Sequence, residues 1–196
     1  MTKSPDEITP TAESIAQSAT AASRGKLPPV ESWNPPFCGD LDMRISRDGT
    51  WYYLGSPIGR KPLVKLFSSI IVKEGEKYFL VTPVEKVGIK VDDAPFVAID
   101  FDTIITDRGP ALRFETHVGD YADAGPSNPI RVVFDEDGQP SPYILIRRNL
   151  EALIDRKSFY RLVDRGETRL VDDEDWFGVV SNGTFFKIMR ASDIAA

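Results

Sequence analysis

The stretch Gly55-Ser56-Pro57-Ile58-Gly59-Arg60-Lys61-Pro62 brings glycine, proline and two cations together immediately before a helical pattern. A helix start offers free amides and a partial positive charge, and a guanidinium and an ammonium beside it suit a phosphate or carboxylate. The loop is not a nucleotide P-loop. That loop needs four residues between its glycines and a Ser or Thr after its lysine, whereas three residues separate Gly55 from Gly59 and Pro62 follows Lys61. Upstream, Asp40, Asp42 and Arg44 occupy alternate positions, which puts them on one face of a strand. Two carboxylates beside a guanidinium hold a charged ligand or a metal, or serve acid and base roles. The solvated face of a half-buried strand has the same composition. Asp40, Asp42, Arg44, Ser56, Arg60 and Lys61 form the candidate ligand-binding set.

The other reactive residue types are sparse. His117 is the only histidine and Cys38 the only cysteine, so an internal disulfide, a Cys-X-X-Cys redox pair and a cysteine zinc cluster are excluded. No Gly-X-Ser-X-Gly nucleophile elbow occurs. His117 stands near Asp120 and Asp123 as a lone loop histidine. Asp135, Asp137 and Gly138 copy part of a calcium loop without its closing glutamate, and the acidic run at residues 172–175 has no histidine or cysteine beside it. No catalytic residue, metal or cofactor is expected. With 30 acidic against 24 basic residues the net charge is -6, which disfavours nucleic acid as a partner. No stretch reaches the length of a membrane span and the first residues lack a signal-peptide core, so a cytoplasmic protein without membrane attachment is expected.

These residues need elements to position them. Ala12, Ile15, Ala16, Ala19 and Ala22 recur at helical spacing between Thr9 as cap and Gly25 as stop, predicting an N-terminal helical arm. A connector stiffened by Pro28, Pro29, Pro35 and Pro36 follows. Leu41, Met43 and Ile45 alternate with the charged residues, the Asp48-Gly49 pair turns the chain, and Trp51 and Tyr53 start the return strand. Leu63, Leu66, Phe67 and Ile70 mark one helix face with Pro62 in its first turn. Residues 78–81, 87–91, 96–101 and 112–116 read as strands. The second half repeats the order: strand at 130–134, turn at Asp137-Gly138, strand at 143–146, then a short helix capped by Asn149 with face Leu150, Leu153 and Ile154. Residues 159–163, 168–171, 176–180 and 184–189 read as strands, with Asn182-Gly183 as a hairpin turn.

The repeated order predicts an α+β protein made by duplication: two repeated β-rich units, each an antiparallel sheet with a short helix, plus the arm. The expected domains are 1–38, 39–127 and 128–196. A local match between Val91-Asp92-Asp93 and Val171-Asp172-Asp173, 80 residues apart, sets the expected register of the repeat.

The segments Cys38-Gly39-Asp40-Leu41-Asp42-Met43-Arg44-Ile45, Gly55-Ser56-Pro57-Ile58-Gly59-Arg60, Leu80-Val81-Thr82-Pro83-Val84-Glu85-Lys86-Val87-Gly88-Ile89 and Val91-Asp92-Asp93-Ala94-Pro95-Phe96 resemble an uncharacterised proteobacterial family, known as a domain of unknown function. The resemblance covers nearly all the chain after the arm. It implies a fold with two repeated structural units and a part in signal transduction, and it carries no catalytic residues over. The expected function is a binding or regulatory module for a small anionic ligand or a protein partner. The alternatives are an enzyme acting on a small phosphorylated or carboxylate substrate, and a protein-interaction scaffold.

Overall fold

The structure, a computed structural model, describes residues 10–23 and 27–195, and the cap Thr9 and stop Gly25 lie outside them. The chain divides into unit 1, residues 1–46 and 50–92, and unit 2, residues 47–49 and 93–196. The expected division at residue 127 falls inside unit 2.

Unit 1 contains α1 (Ala12–Ser23), β1 (Phe37–Ile45), β2 (Trp51–Tyr53), β3 (Ser56–Pro57), α2 (Lys61–Ser69), β4 (Ile71–Glu74), β5 (Lys77–Val81) and β6 (Lys86–Val91). Its six strands form one sheet in the order β3-β2-β1-β6-β5-β4. Neighbours are antiparallel except the central pair, where β1 runs parallel to β6 with Ile45 opposite Val91. The alternation in β1 is as expected: Leu41, Met43 and Ile45 are buried while Asp40, Asp42 and Arg44 are exposed. Onto the buried face α2 packs Phe67, fully buried and stacked on Trp51 with ring centroids 6.1 Å apart. Helix α1 contributes Ile15 and Ala19, both 0% exposed, so the arm closes the core of its own unit. Burying these apolar side chains is what holds a twelve-residue, alanine-rich helix in place, since a helix that short is marginal in water on its own.

Unit 2 contains β7 (Phe96–Thr106), β8 (Gly109–Thr116), β9 (Tyr121–Asp123), β10 (Ile130–Phe134), β11 (Pro140–Arg147), β12 (Leu150–Ile154), α3 (Arg156–Val163), β13 (Glu167–Val171), β14 (Glu174–Ser181) and β15 (Thr184–Arg190). A second six-stranded sheet has the order β10-β11-β12-β7-β8-β9, and β13-β14-β15 form a separate three-stranded sheet. In the six-stranded sheet the central pair is again parallel, Ala152 facing Phe96 and Ile154 facing Ala98.

The two large sheets therefore follow one circuit: a three-stranded meander, a second three-stranded meander, and a parallel seam joining the first strand to the last. This is the duplication, and the protein is α+β as expected. Its register differs from the one set by the paired Val-Asp-Asp segments. Asp92 follows β6, its amide donating to the Ile45 carbonyl, while Asp172 and Asp173 form the β13–β14 turn with φ of 54° and 63°. The seam also corrects the expectation of purely antiparallel sheets.

Two elements in unit 2 exchange type. Residues 150–154, expected as a helix, are strand β12, with Leu150, Ala152 and Ile154 buried. Strands β11 and β7 flank it and satisfy its backbone on both sides. Residues 159–163, expected as a strand, lie in α3, where the Asp155 side chain accepts from the Ser158 amide at 2.7 Å and Phe159 and Leu162 face inward. An aspartate cap four residues before a buried pair at helical spacing is a helix start.

Candidate functional site

The six candidate side chains fall on two sides of the unit 1 sheet. Asp40, Asp42 and Arg44 project from the face opposite Leu41, Met43 and Ile45, whereas Arg60 and Lys61 open α2, which packs on the buried face. Ser56 is exposed on the short edge strand β3. The expected single site at the loop and the neighbouring strand is therefore split. Arg44 is also engaged: its Nε lies 3.0 Å from both Asp92 carboxylate oxygens, and its guanidinium sits 5.8 Å from the Tyr52 ring centroid. The Arg44 bond holds the Asp92 carboxyl below the usual carboxylate range.

On the helix side, α1 and the start of α2 enclose an open groove of about 1180 Å³. Ala16 and Thr20 of α1 and Leu63 and Leu66 of α2 give it an apolar lining, and Arg60 and Lys61 stand at the α2 end. Both cations are exposed, as expected from the inward turn of Phe67, while Leu66 is half-buried rather than core because it faces this groove. Arg60 is the N-cap of α2 in extended conformation, and no side chain caps the helix. The basic residues thus add to the positive end of the helix dipole rather than neutralise it.

On the open sheet face Asp40 sits over Gly88, so closely that a Cβ at residue 88 would fall 2.0 Å from Asp40 Oδ1. Register shifts in the β1–β6 pairing lie on both sides of Asp40, and Gly39 just before it has φ of 98°. Sequence reasoning selected Asp40 and passed over Gly88, because only the parallel seam brings residues 40 and 88 together.

The remaining sequence candidates resolve into structural roles. His117 is half-buried, and its Nδ1 accepts the Val97 amide at 3.1 Å. Burial lowers its pKa below the ordinary histidine value, and the Val97 bond uses the lone pair a general base would need. Its Nε2 packs against Gly49, where a Cβ would lie 3.1 Å away. The Asp135 carboxylate accepts from the Asp137 and Gln139 amides at 3.0 and 2.7 Å, closing a turn on Gly138, φ 73°. Among the described residues no group of three or more His, Cys, Asp or Glu side chains is placed to hold a metal ion, and no helix is long and apolar enough to cross a membrane. The polar cluster that the sequence did not disclose is in unit 2: the Tyr143 hydroxyl donates to Asp93 at 2.7 Å, and Arg47 pairs with Asp93 at 2.8 Å and donates to Ser141 at 2.8 Å.

The two circuits are matched by two family domains. Residues 28–94 match the domain of unknown function DUF1285, N-terminal domain, and residues 95–188 match the DUF1285 C-terminal domain. The chain belongs to the DUF1285 family. A solved DUF1285 family protein from Silicibacter pomeroyi DSS-3 is 54% identical, with 93% of this chain and 98% of that chain covered and a TM-score of 0.83. A second, from Shewanella baltica OS155, is 30% identical over 63% of this chain and 91% of its own, with a TM-score of 0.52. No curated protein matches the chain.

Proposed function

We propose that the protein is a cytoplasmic binding module, acting in regulation rather than in turnover, and that its ligand is an amphipathic acid held in the α1–α2 groove. The observation that carries the reading is the groove itself: an apolar trough with Arg60 and Lys61 at the α2 end. The apolar body of such a ligand packs against Ala16, Thr20, Leu63 and Leu66. Its carboxylate or phosphate takes a charge-assisted bond from Arg60 and the favourable field of the helix start. The single exposed thiol, Cys38, accords with a reducing compartment. Charge complementarity selects an acid over a neutral lipid or an amine.

The test is a thermal-shift and calorimetric titration of the full chain with straight-chain carboxylates, alkyl phosphates and the matching alcohols. The acids are expected to stabilise the wild type. Replacing both Arg60 and Lys61 by Ala weakens them about tenfold, the size of one lost charge-assisted bond, and Ala16→Trp, which places an indole against the apolar lining, blocks binding. Alcohols binding as tightly as acids, or acids indifferent to Ala16→Trp, would refute the assignment. Conversion of a bound acid into product would replace the module with an enzyme, and occupation only by an amphipathic peptide would replace the small ligand with a protein.

A further inference from the structure

The open face of the unit 1 sheet has its own notch, about 400 Å³ in volume, lined by Asp40, Glu76, Lys77, Phe79 and Lys90, with Gly88 among the residues beneath. That volume lies within the range of small-molecule sites. Three backbone features converge to place the Asp40 carboxylate there. Gly39 takes a positive φ of 98°, which a side chain would resist. The pairing of β1 with β6 shifts register on each side of Asp40, and such irregularities re-aim side chains in a strand. Gly88 then leaves the space over which the carboxylate lies, 2.0 Å from where a Cβ would stand. A plain solvated strand face requires none of this.

Among the described residues no donor bonds the Asp40 carboxylate, although Lys77 and Lys90 line the same notch. Asp40 thus offers an exposed acceptor in the same notch as two cations. A ligand that satisfies both carries an ammonium for the carboxylate and an acid for the lysines, with the Phe79 ring as an apolar wall. Glu76, at the β4–β5 turn, brings the formal charge of the lining to zero, two carboxylates against two ammoniums, which favours a ligand without net charge. We infer that the Asp40–Gly88 notch is a binding site for a small zwitterion of the amino-acid type, separate from the groove on the helix side.

The experiment is calorimetric titration of the full chain with a panel of free amino acids, alongside simple amines and simple carboxylates that carry one charge each. At least one amino acid is expected to bind while the singly charged compounds do not. Asp40→Asn keeps the shape and removes the charge, and it lowers affinity about tenfold or more. Gly88→Ala pushes the carboxylate aside and lowers affinity similarly, with the folded structure retained because the displaced atom is the end of a flexible side chain. Circular dichroism and the unfolding midpoint check that both variants fold. The assignment is overturned if no amino acid binds, if single-charge compounds bind as well, or if Asp40→Asn binds like the wild type. Loss of groove binding in Ala16→Trp leaves this result untouched, so the two sites are tested independently.

Discussion

Replacing Phe67 by Ala probes the packing that closes unit 1. The side chain is 0% exposed, and its ring stacks on Trp51, itself 1% exposed, at 6.1 Å and an interplanar angle of 25°. Ile70 and Ile71 beside it are also 0% exposed, so no neighbour can relax into the space without leaving its own contacts. A Phe-to-Ala truncation at such a site costs about 3–5 kcal/mol, combining lost transfer energy with the cavity left behind. Aromatic stacking places the loss toward the upper part of that range. With a urea slope of about 1–3 kcal/mol per molar for a small domain, the midpoint of the unit 1 transition falls by roughly 1–5 M. Trp51 is the natural reporter, because its ring loses its stacking partner on unfolding and its emission should move to longer wavelength. Phe67→Leu, which refills most of the volume, serves as the milder control. A loss below about 1 kcal/mol for Phe67→Ala would refute the account of α2 as the lid of the unit 1 core.

Two further outcomes follow from buried polar groups in unit 2. Ser181 is 0% exposed, and its hydroxyl donates to the Ala124 carbonyl at 2.6 Å while accepting the Leu112 amide at 2.8 Å. Ser181→Ala orphans both backbone groups and should cost about 1–3 kcal/mol in urea unfolding, and a neutral result would mean that neither bond matters to stability. His117 titrates below its ordinary value of 6.5 in the folded protein because burial disfavours its charged form. The unfolded chain therefore takes up a proton first, so the stabilisation is complete above about 6.5 and is lost as pH falls toward the folded value. The urea midpoint of the wild type should decline across this mildly acidic window and that of His117→Gln should not, whereas parallel declines would remove His117 as the cause.

Much of unit 1 was legible because its signals are local. The alternation of Leu41, Met43 and Ile45, the Asp48-Gly49 turn, and Leu63, Leu66 and Phe67 behind Pro62 each report their own element within a few residues. The Asn182-Gly183 turn is equally local: both residues have positive φ, 50° and 72°, the conformation this pair adopts most readily. Residues 150–154 defeated the reading because five residues fit both periods. Leu150, Leu153 and Ile154 suit a helix, while Leu150, Ala152 and Ile154 suit a strand, and the parallel contact with β7, more than fifty residues upstream, decides between them. The Val-Asp-Asp match failed for a different reason: an acidic pair is suitable turn material anywhere, so its recurrence does not mark equivalent positions. At the candidate site, alternation placed Asp40 on the exposed face, but only the seam could disclose Gly88. The partition of the six candidates between two faces likewise depends on which side α2 covers, a tertiary fact with no local signal.

The parallel seam has a bearing on how the chain is made. In each circuit the first strand must wait for the last: β1 begins at Phe37 and its partner β6 ends at Val91, while β7 begins at Phe96 and β12 ends at Ile154. Until then β1 and β7 each have an unpaired edge carrying buried-type residues such as Met43, Ile45, Phe96 and Ala98. Such an edge is a template for pairing with another chain. Vectorial synthesis, at about 5–20 residues per second, therefore leaves each edge open for several seconds, twice in succession. The hazard is greatest where translation pauses within either circuit, and a chain truncated between β7 and β12 is the fragment most exposed to aggregation.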